Sequence, residues 1–434
     1  MTPVVRTLLD DPALRRRWII RPEPHCAPPC PARLWRLETA AGEALNASGL
    51  LRRTWHRPPY ALTIRLMQYE PGSTLPVILD EATIGTRRAW VEFSSTVTRT
   101  ATRLLYDAAM GRSRGPSRID AALPAQGWLP GWLLQQARRW QERVTDEWWS
   151  LGVSATPLPE IMAGRPLGAV HWFHPHPSAA YLADPFPWHG FDRILCEEMP
   201  RDGRPGRIVS VRRNGDALEV EQAVLDDGAH HSYPSTFAEN GIVYCLPESV
   251  ERGATRLYRL QDDGGLSVVC DVAPDRRLAD PTLFRWQDRL WIACTDLDLG
   301  SADNLCLLHA AEPSGPWIPH AKWPVRIDVR GARPGGMVFH YDGHLLRPGQ
   351  DCARTYGAAV ALHAVTELTP TDFAEILVAR LEPDDTGPFP SGLHTLVHDG
   401  VRFWVDGKRF VFDPMIVVRR ILRRLRVSAP QRVG

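Results

Sequence analysis

ADPFPWHGFDRILCEE, residues 183–198, opens on an Asp-Pro pair, runs through a short apolar stretch, turns at His189-Gly190 and leaves through a second apolar stretch. The same unit returns as SYPSTFAENGIVYCLPES at 232–249, ADPTLFRWQDRLWIACTD at 279–296, ARPGGMVFHYDGHLLRPGQD at 332–351 and, more weakly, GLHTLVHDGVRFWVDGKR at 392–409. Pro185, Pro234, Pro281 and Pro334 mark equivalent points 49, 47 and 53 residues apart, and His394 follows after another 60. A repeat of this length signals a propeller or a solenoid. Asn240-Gly241, Gln287-Asp288, Asp342-Gly343 and Asp399-Gly400 separate the paired runs with tight-hairpin chemistry. Further strands, RIVSVRR from Arg207, LEVEQAVL from Leu218, TRLYRL from Thr255 and LSVVCDV from Leu266, add a second hairpin to a period. The sequence therefore predicts a mainly β fold, a five-bladed β-propeller over 156–412, with a strand near Trp172 closing the ring against the last unit.

Residues 1–155 read differently, as a smaller α/β or irregular accessory domain. It holds a Pro-rich patch from His25, apolar runs at ALTIRLMQY (61–69) and LPVILDEA (75–82), and an Arg/Ser/Gly/Pro loop over 112–124. Leu133, Ala137, Trp140, Val144 and Trp148 recur every three or four residues, which predicts a helix across 130–150. After the propeller, 413–434 form a basic helix or tail. Arg419, Arg420, Arg423, Arg424 and Arg426 alternate with apolar residues, the pattern of a helix resting on an anionic membrane surface.

The chain has 434 residues, 44% apolar and 23% charged, with a formal net charge of +1. That balance gives no field favouring nucleic acid. The amino terminus lacks the apolar core of a secretory signal, and no run approaches a membrane span, so a cytoplasmic place is expected, at most peripheral to the inner face of the membrane. Eight cysteines stand singly and imply no disulfide framework. Neither a P-loop, a G-x-S-x-G elbow nor a dinucleotide fingerprint occurs, and no cofactor is expected. His171, His174 and His176 lie close together without acidic or Cys partners at ligand spacing, so no metal is expected.

A propeller's first strands line its axis, so their opening residues converge. Here these are Asp184, His231 with Tyr233, Asp280, Arg333 and His394, where a structural hub would need only apolar filler. Glu198, Glu248, Arg347, Gln350 and Asp351 sit at the ends of the second strands. Carboxyls held near one another push their pKa values apart, which provides a proton donor beside an ionised base, the requirement of glycosidic chemistry. Asp184, Asp280, Glu198 and Glu248 are thus the candidate catalytic carboxyls. Arg333, His394, Gln350, Arg347, Asp351, Tyr233 and His231 are the candidate groups that hold a sugar or its phosphate. Each Asp-Pro or Arg-Pro start also reads as a turn device, the side chain capping the strand entry.

ADPF, SYPS with PES, DPTLF, RPGG, RPGQDCARTYG and GLHTL, in this order over about 170–410, resemble the amino-terminal propeller of the plant glucosamine inositolphosphorylceramide transferases and their bacterial relatives. More distantly, the blade-start acids are similar to the five-bladed arabinanase, xylosidase and invertase superfamily. The resemblance implies a carbohydrate-active protein working in cell-surface glycan or glycolipid assembly on a sugar, nucleotide sugar or glycolipid, by glycosyl transfer. The alternatives are a non-catalytic glycan-binding or scaffolding propeller and a glycoside hydrolase. In the arabinanase-like pattern Asp184 takes the place of the base. Ser232-Tyr233 stands where that pattern has the second blade's Asp, and the third blade begins with Asp280 and offers no evident Glu.

Overall fold

The computed structural model describes residues 34–45, 49–56, 61–73, 75–86, 90–116, 144–173, 179–188, 193–215 and 217–412. The amino-terminal module is a three-stranded antiparallel sheet, β1 (Leu34–Thr39), β2 (Ala61–Tyr69) and β3 (Val77–Gly85), with α1 (Leu50–His56) and α2 (Trp90–Ala109) beside it. Period-two alternation puts Leu62, Ile64 and Leu66 of β2 on one face. Phe93, Val97 and Leu104, on one stripe of α2, complete that core.

The module is fastened to the propeller. The backbone N–H of Val329 donates to Thr83 O at 2.8 Å, and Ile327 packs into the module's core. Arg114, buried between Asp80 (2.7 Å) and Asp107 (2.8 Å), also donates to Pro324 O at 3.3 Å. Burial and the neighbouring Asp107 push the Asp80 carboxyl up to about 6 despite the Arg114 guanidinium.

Five antiparallel sheets make up the rest. β4 (Thr145–Ser154), a short helix α3 (Leu158–Met162) and β5 (Val170–Trp172) come first. The first complete sheet is β6 (Ala179–Pro187), β7 (Arg193–Pro200), β8 (Arg207–Asn214) and β9 (Ala217–Leu225). The second is β10 (Ser232–Glu239), β11 (Ile242–Glu248), β12 (Arg256–Leu260) and β13 (Leu266–Asp271). The third comprises β14 (Leu278–Trp286), β15 (Arg289–Asp296), β16 (Asn304–Ala310) and the short β17 (Ile318–Pro319) and β18 (Arg326–Ile327). The fourth comprises β19 (Arg330–Pro334), β20 (Phe339–Tyr341), β21 (His344–Asp351), β22 (Ala359–Leu368) and β23 (Phe373–Leu381). The last joins β24 (Gly392–His398) and β25 (Phe403–Phe412) to β4 and β5. First strands meet in turn, β6 with β10, β10 with β14, β14 with β19 and β24 with β6, which is the circular order of a propeller.

Two expectations change here. The stretch 145–154 is a strand, not the end of a helix. It pairs with all ten residues of β25, from Thr145 opposite Phe412 to Ser154 opposite Phe403, and that tertiary pairing outweighs local helical spacing. The propeller therefore begins before residue 156, and β4, rather than the strand at Trp172, joins the two ends of the chain; β5 lies outside it. The expected helical residues 130–143, the Pro-rich patch at His25, His174, His176 and the basic run 419–426 lie outside the described residues.

The hairpin tips behave as their composition dictates. Asn240 and Gly241 (φ 50° and 76°) and Asp342 and Gly343 (φ 47° and 76°) adopt paired positive φ, the type I′ signature that matches strand twist.

The marker positions are more unusual. Asp184, Tyr233 and Asp280 all have positive φ (55°, 45° and 47°), and the strand register slips at each, between Ala183 and Phe186, Ser232 and Ser235, and Ala279 and Thr282. Each is a bulge that takes a residue out of the ladder and re-aims its side chain and N–H. The proline after it has no N–H to lose. The repeated X-Pro is thus the mark of a bulge, and a bulge is where a side chain can be turned to the axis.

Candidate functional site

At the bulged ends of the first strands lies a cavity of about 740 Å³. Asp184, Ser232, Asp280, Arg333 and His394 reach it from the five first strands, and Glu197 and Glu248 from second strands. Trp148 and Trp149 of β4, Tyr181, Tyr356 and Phe410 provide aromatic wall, and Asp146, Glu147, His230 and Arg201 stand among them. Aromatic faces beside carboxyls suit an amphipathic, hydroxyl-rich ligand.

The bulges free backbone N–H groups, and carboxylates of neighbouring blades accept them. Asp406 of the last sheet accepts from Asp184 N (3.0 Å), Asp184 accepts from Tyr233 N (3.2 Å), and Glu248 accepts from Asp280 N (3.0 Å). Asp280 in turn binds Arg333 through both oxygens (Nε to Oδ2 2.6 Å, Nη2 to Oδ1 3.1 Å). Leu396 N donates to Gly335 O at 2.8 Å, carrying the connection from the fourth sheet to the last. The acids at the axis stitch one blade to the next.

Two clusters emerge. In the first, His394 lies between Asp406 (Nδ1 to Oδ1 2.7 Å) and Asp184 (Nε2 to Oδ1 3.3 Å), while Thr395 Oγ1 donates to Asp184 at 2.8 Å. Burial disfavours the imidazolium, but Asp406 and Asp184 outweigh it and raise the His394 pKa. Asp406 is correspondingly lowered, since His394 and the N–H donors outweigh its burial. Asp184 moves the other way, up to about 6, because burial and the charges of Asp406 and Asp280 exceed the help from His394. The imidazolium's charge therefore belongs mainly to Asp406, its closer partner. Asp184, His394 and Asp406 are all metal-ligand types within 4.8 Å of one another. Both ring nitrogens face carboxylates, which makes the arrangement an ion-paired triad.

In the second cluster Gln350 Nε2 donates to Asp280 and to Pro334 O (2.8 Å), and Arg333 also reaches Ser301 O (2.6 Å) and lies 5.1 Å from the centre of the Tyr356 ring. Burial opposes the Arg333 charge, yet Asp280 raises its pKa well above the ordinary value. Glu248, 3.8 Å from Arg333, is pushed up to about 8 by burial and by the neighbouring Asp280 charge. Glu197 is raised well above its ordinary value by burial and by Asp184 and Glu248.

The remaining candidates sit elsewhere. Glu198 points to the other face of β7 and pairs with Arg207 at 2.7 Å, as strand alternation requires of Glu197's neighbour. Arg347 is buried within the fourth sheet on Glu375 (2.8 and 2.7 Å) and Gly331 O. Asp351 receives Arg380 (3.0 Å) and Ala353 N, and His231 is held between Ser249 and Asp227, each at 2.8 Å. Tyr233 is fully buried, its hydroxyl taking Gly336 N at 2.7 Å and bonding Thr282 at 2.9 Å. It braces the axis below the cavity. Gln350 is a tie to Asp280 and not a wall residue. Sequence reasoning left out Trp149, Tyr356, His230 and Asp406.

Comparison with known proteins adds a relationship for the central part of the chain. Residues 180–386 match the family described as glucosamine inositolphosphorylceramide transferase 1, N-terminal. Proteins named glucosamine inositolphosphorylceramide transferase 1 are similar over that region: 33% identical over 207 residues in Oryza sativa subsp. indica and 31% over 208 residues in Arabidopsis thaliana. The match covers 46% of this chain, and 28% and 27% of those relatives, so the chain spans little more than a quarter of each transferase. Among solved structures, a thermostable family-43 glycoside hydrolase aligns with 48% of this chain and 78% of its own (13% identity, TM-score 0.35). An exo-beta-1,3-galactanase from Clostridium thermocellum aligns with 43% and 45% (10% identity, TM-score 0.34). The transferase match ends at residue 386, leaving out β24, β25 and β4. Trp148, Trp149 and Phe410 of the aromatic wall, and the His394–Asp406 pair, therefore come from outside the matched region, whereas Tyr181 and Tyr356 lie within it.

Proposed function

We propose that this chain is a carbohydrate-active protein whose axial cavity receives a sugar and acts on its glycosidic bond, in transfer to a glycolipid or cell-surface glycan. One observation carries the reading: a single aromatic-walled cavity sets Asp184, bonded by Tyr233 N and Thr395 and beside His394, next to Glu197 and Glu248, which lie among other acids. Asp184 is pushed to about 6 and Glu248 further, to about 8, while burial and the charges of Asp184 and Glu248 raise Glu197 well above its ordinary value. Such a division provides a base and an acid at once. In the transfer, Glu197 or Glu248 gives a proton to the leaving oxygen as its bond to the anomeric carbon breaks. The acceptor hydroxyl forms the new bond and passes its proton to Asp184. Asp280, held by Arg333 and Gln350, positions Glu248 and raises its pKa instead of reacting.

The name of the plant relatives supports a glycolipid acceptor. A cytoplasmic place at the inner membrane face, with residues 419–426 as contact, belongs to the same reading; among the described residues no helix is long and apolar enough to cross a membrane. A second reading, glycan binding without chemistry, is favoured by the ties on Asp184 and Asp280, which employ both acids in joining blades. Incubation with nucleotide sugars, glycolipid headgroups and aryl glycosides, monitored by thermal shift and product release, separates the two. We expect a ligand-induced rise in Tm and turnover that Asp184→Asn abolishes. Binding without turnover selects the second reading, and neither binding nor turnover refutes both.

A further inference from the structure

Glu197 differs from the other acids of the cavity. It is only 7% exposed and faces the cavity, yet among the described residues it makes no side-chain hydrogen bond. The basic group beside it is His230, whose Nε2 lies 3.8 Å from Oε1, just beyond hydrogen-bond reach. The N–H of Gly206 donates to His230 Nδ1 at 3.1 Å, so the neutral ring must carry its proton on Nε2, facing Glu197. The backbone of His230 is fixed as well, its N–H donating to Glu251 Oε2 at 3.0 Å. Gly206 permits the approach. A Cβ there would stand 2.7 Å from Glu197 Oε1, from His230 Cε1 and from His230 Nδ1.

Resting on the sugar reading of the cavity, we infer that Glu197 is its proton donor, with His230, oriented by Gly206, as the positioning residue that receives the carboxylate once the proton has left. Glu248 is less suited, because its Oε2 already accepts the Asp280 N–H and Arg333 lies beside it. The proton of Glu197 passes to the leaving oxygen as the anomeric C–O bond breaks. The resulting carboxylate draws in the Nε2–H of His230, closing the 3.8 Å gap, and solvent water returns the proton at the end of the cycle.

The acids that face Glu197 make this direction of transfer favourable. Asp184, Glu248, Asp406 and Asp280, from four other strands, all oppose its ionisation, and burial adds to them. His230, 35% exposed on its side chain, links the buried carboxyl to solvent. Removing His230 therefore leaves the anion without that donor, and Gly206→Ala, which wedges the pair apart, does the same while keeping both groups.

Two measurements test this. Carboxyl 13C NMR of the full chain, with Glu197→Gln to assign the signal, should show Glu197 titrating well above the ordinary value of 4.5, and higher again in His230→Ala and Gly206→Ala. A titration near the ordinary value, or one unmoved by both variants, overturns the pairing. On glycosides, Glu197→Gln should lower kcat about 10²-fold or more for poor leaving groups and far less for a nitrophenolate, which departs without a proton. His230→Ala should displace the alkaline limb of the pH profile and leave KM near wild type. Equal losses on both leaving groups overturn the donor role. If the wild-type chain turns over no glycoside while Glu197 titrates as expected, the reading of the cavity as a glycosyl site fails, and the donor role with it, whereas the proton site itself stands as measured.

Discussion

Replacing Glu248 by glutamine turns the electrostatics of the axis into a stability measurement. The ordinary value for this carboxyl is 4.5, and in the folded protein burial and Asp280 push it to about 8. A folded-state pKa above the unfolded one means that the native chain binds the proton more tightly. The contribution is then fully present below 4.5 and is lost as pH rises towards 8. Each pH unit in that window is worth at most ~1.4 kcal/mol, so the ceiling for this one group is about 5 kcal/mol. In Glu248→Gln the amide has the shape of the acid and keeps an oxygen to accept the Asp280 N–H, but it cannot ionise. The variant should match wild type at about pH 5 and exceed it by several kcal/mol at about pH 8, by equilibrium urea denaturation at constant ionic strength. Asp184 also loses stability on ionising, but its window closes near pH 6, so the interval from there to about 8 is the informative one. His394 contributes a slope of the same sign there in both proteins and cancels in the difference, whereas Glu197, which the Glu248 charge helps to raise, is raised less in the variant and widens the gap in the same direction. Parallel stability curves for wild type and variant across that interval would refute the argument.

Asp280→Asn breaks a pair whose side chains are 4% and 10% exposed, leaving the Arg333 guanidinium buried without its counter-charge. A loss of about 3–5 kcal/mol is expected, with Arg333→Met added to it costing less than the sum of the two single changes in a double-mutant cycle; full additivity would show that the two do not act together. Gly336→Ala should destabilise strongly, because its Cβ would lie 2.0 Å from Leu396 O and its φ is 126°; wild-type stability in a thermal melt would refute the close approach of the fourth and last sheets at that point.

The order of strands was legible because the repeat carries its own punctuation. X-Pro marked each of the first four blade starts, and Asn-Gly or Asp-Gly marked several of the hairpins. The closing strand was not legible. TDEWWSLGVS pairs with β25 residues 249 to 267 positions away, and its Trp residues fit a helical stripe as readily as a strand until that partner is known. In the cavity, Asp184, Asp280, Arg333 and His394 followed from their place in the repeat. Glu197 was recoverable in the same way. It pairs with Ala183, the residue before a bulge, as Glu248 pairs with Ser232 and Thr295 with Ala279. The spacing between bulge and second strand varies from blade to blade, so counting from the marker proline does not separate Glu197 from Glu198. Arg347, Asp351 and His231 were misplaced for another reason. Proximity to the end of a strand does not fix which face a side chain takes, and pairing with Glu375, Arg380 and Asp227 took these three away from the axis.

The bulges also explain why function and assembly are hard to separate at this axis. A residue such as Asp184 with φ near 55° stores strain of about 1–3 kcal/mol, and its N–H, removed from the ladder, needs an acceptor that the adjoining blade provides. Carboxylates meet that need because they accept several bonds at once, as Asp406 does from Asp184 N, His394 N and Thr395 N. Asp406, used in this way by three N–H donors and His394, is held below its ordinary value and is a poor proton source. Glu197, which joins no blades, and Glu248, which gives only one oxygen to the task, lie in the field of the neighbouring acids and have their pKa values raised. The same bulges that join the sheets thereby divide the carboxyls into two states, and the chemistry proposed for the cavity follows from which of them the blades need least.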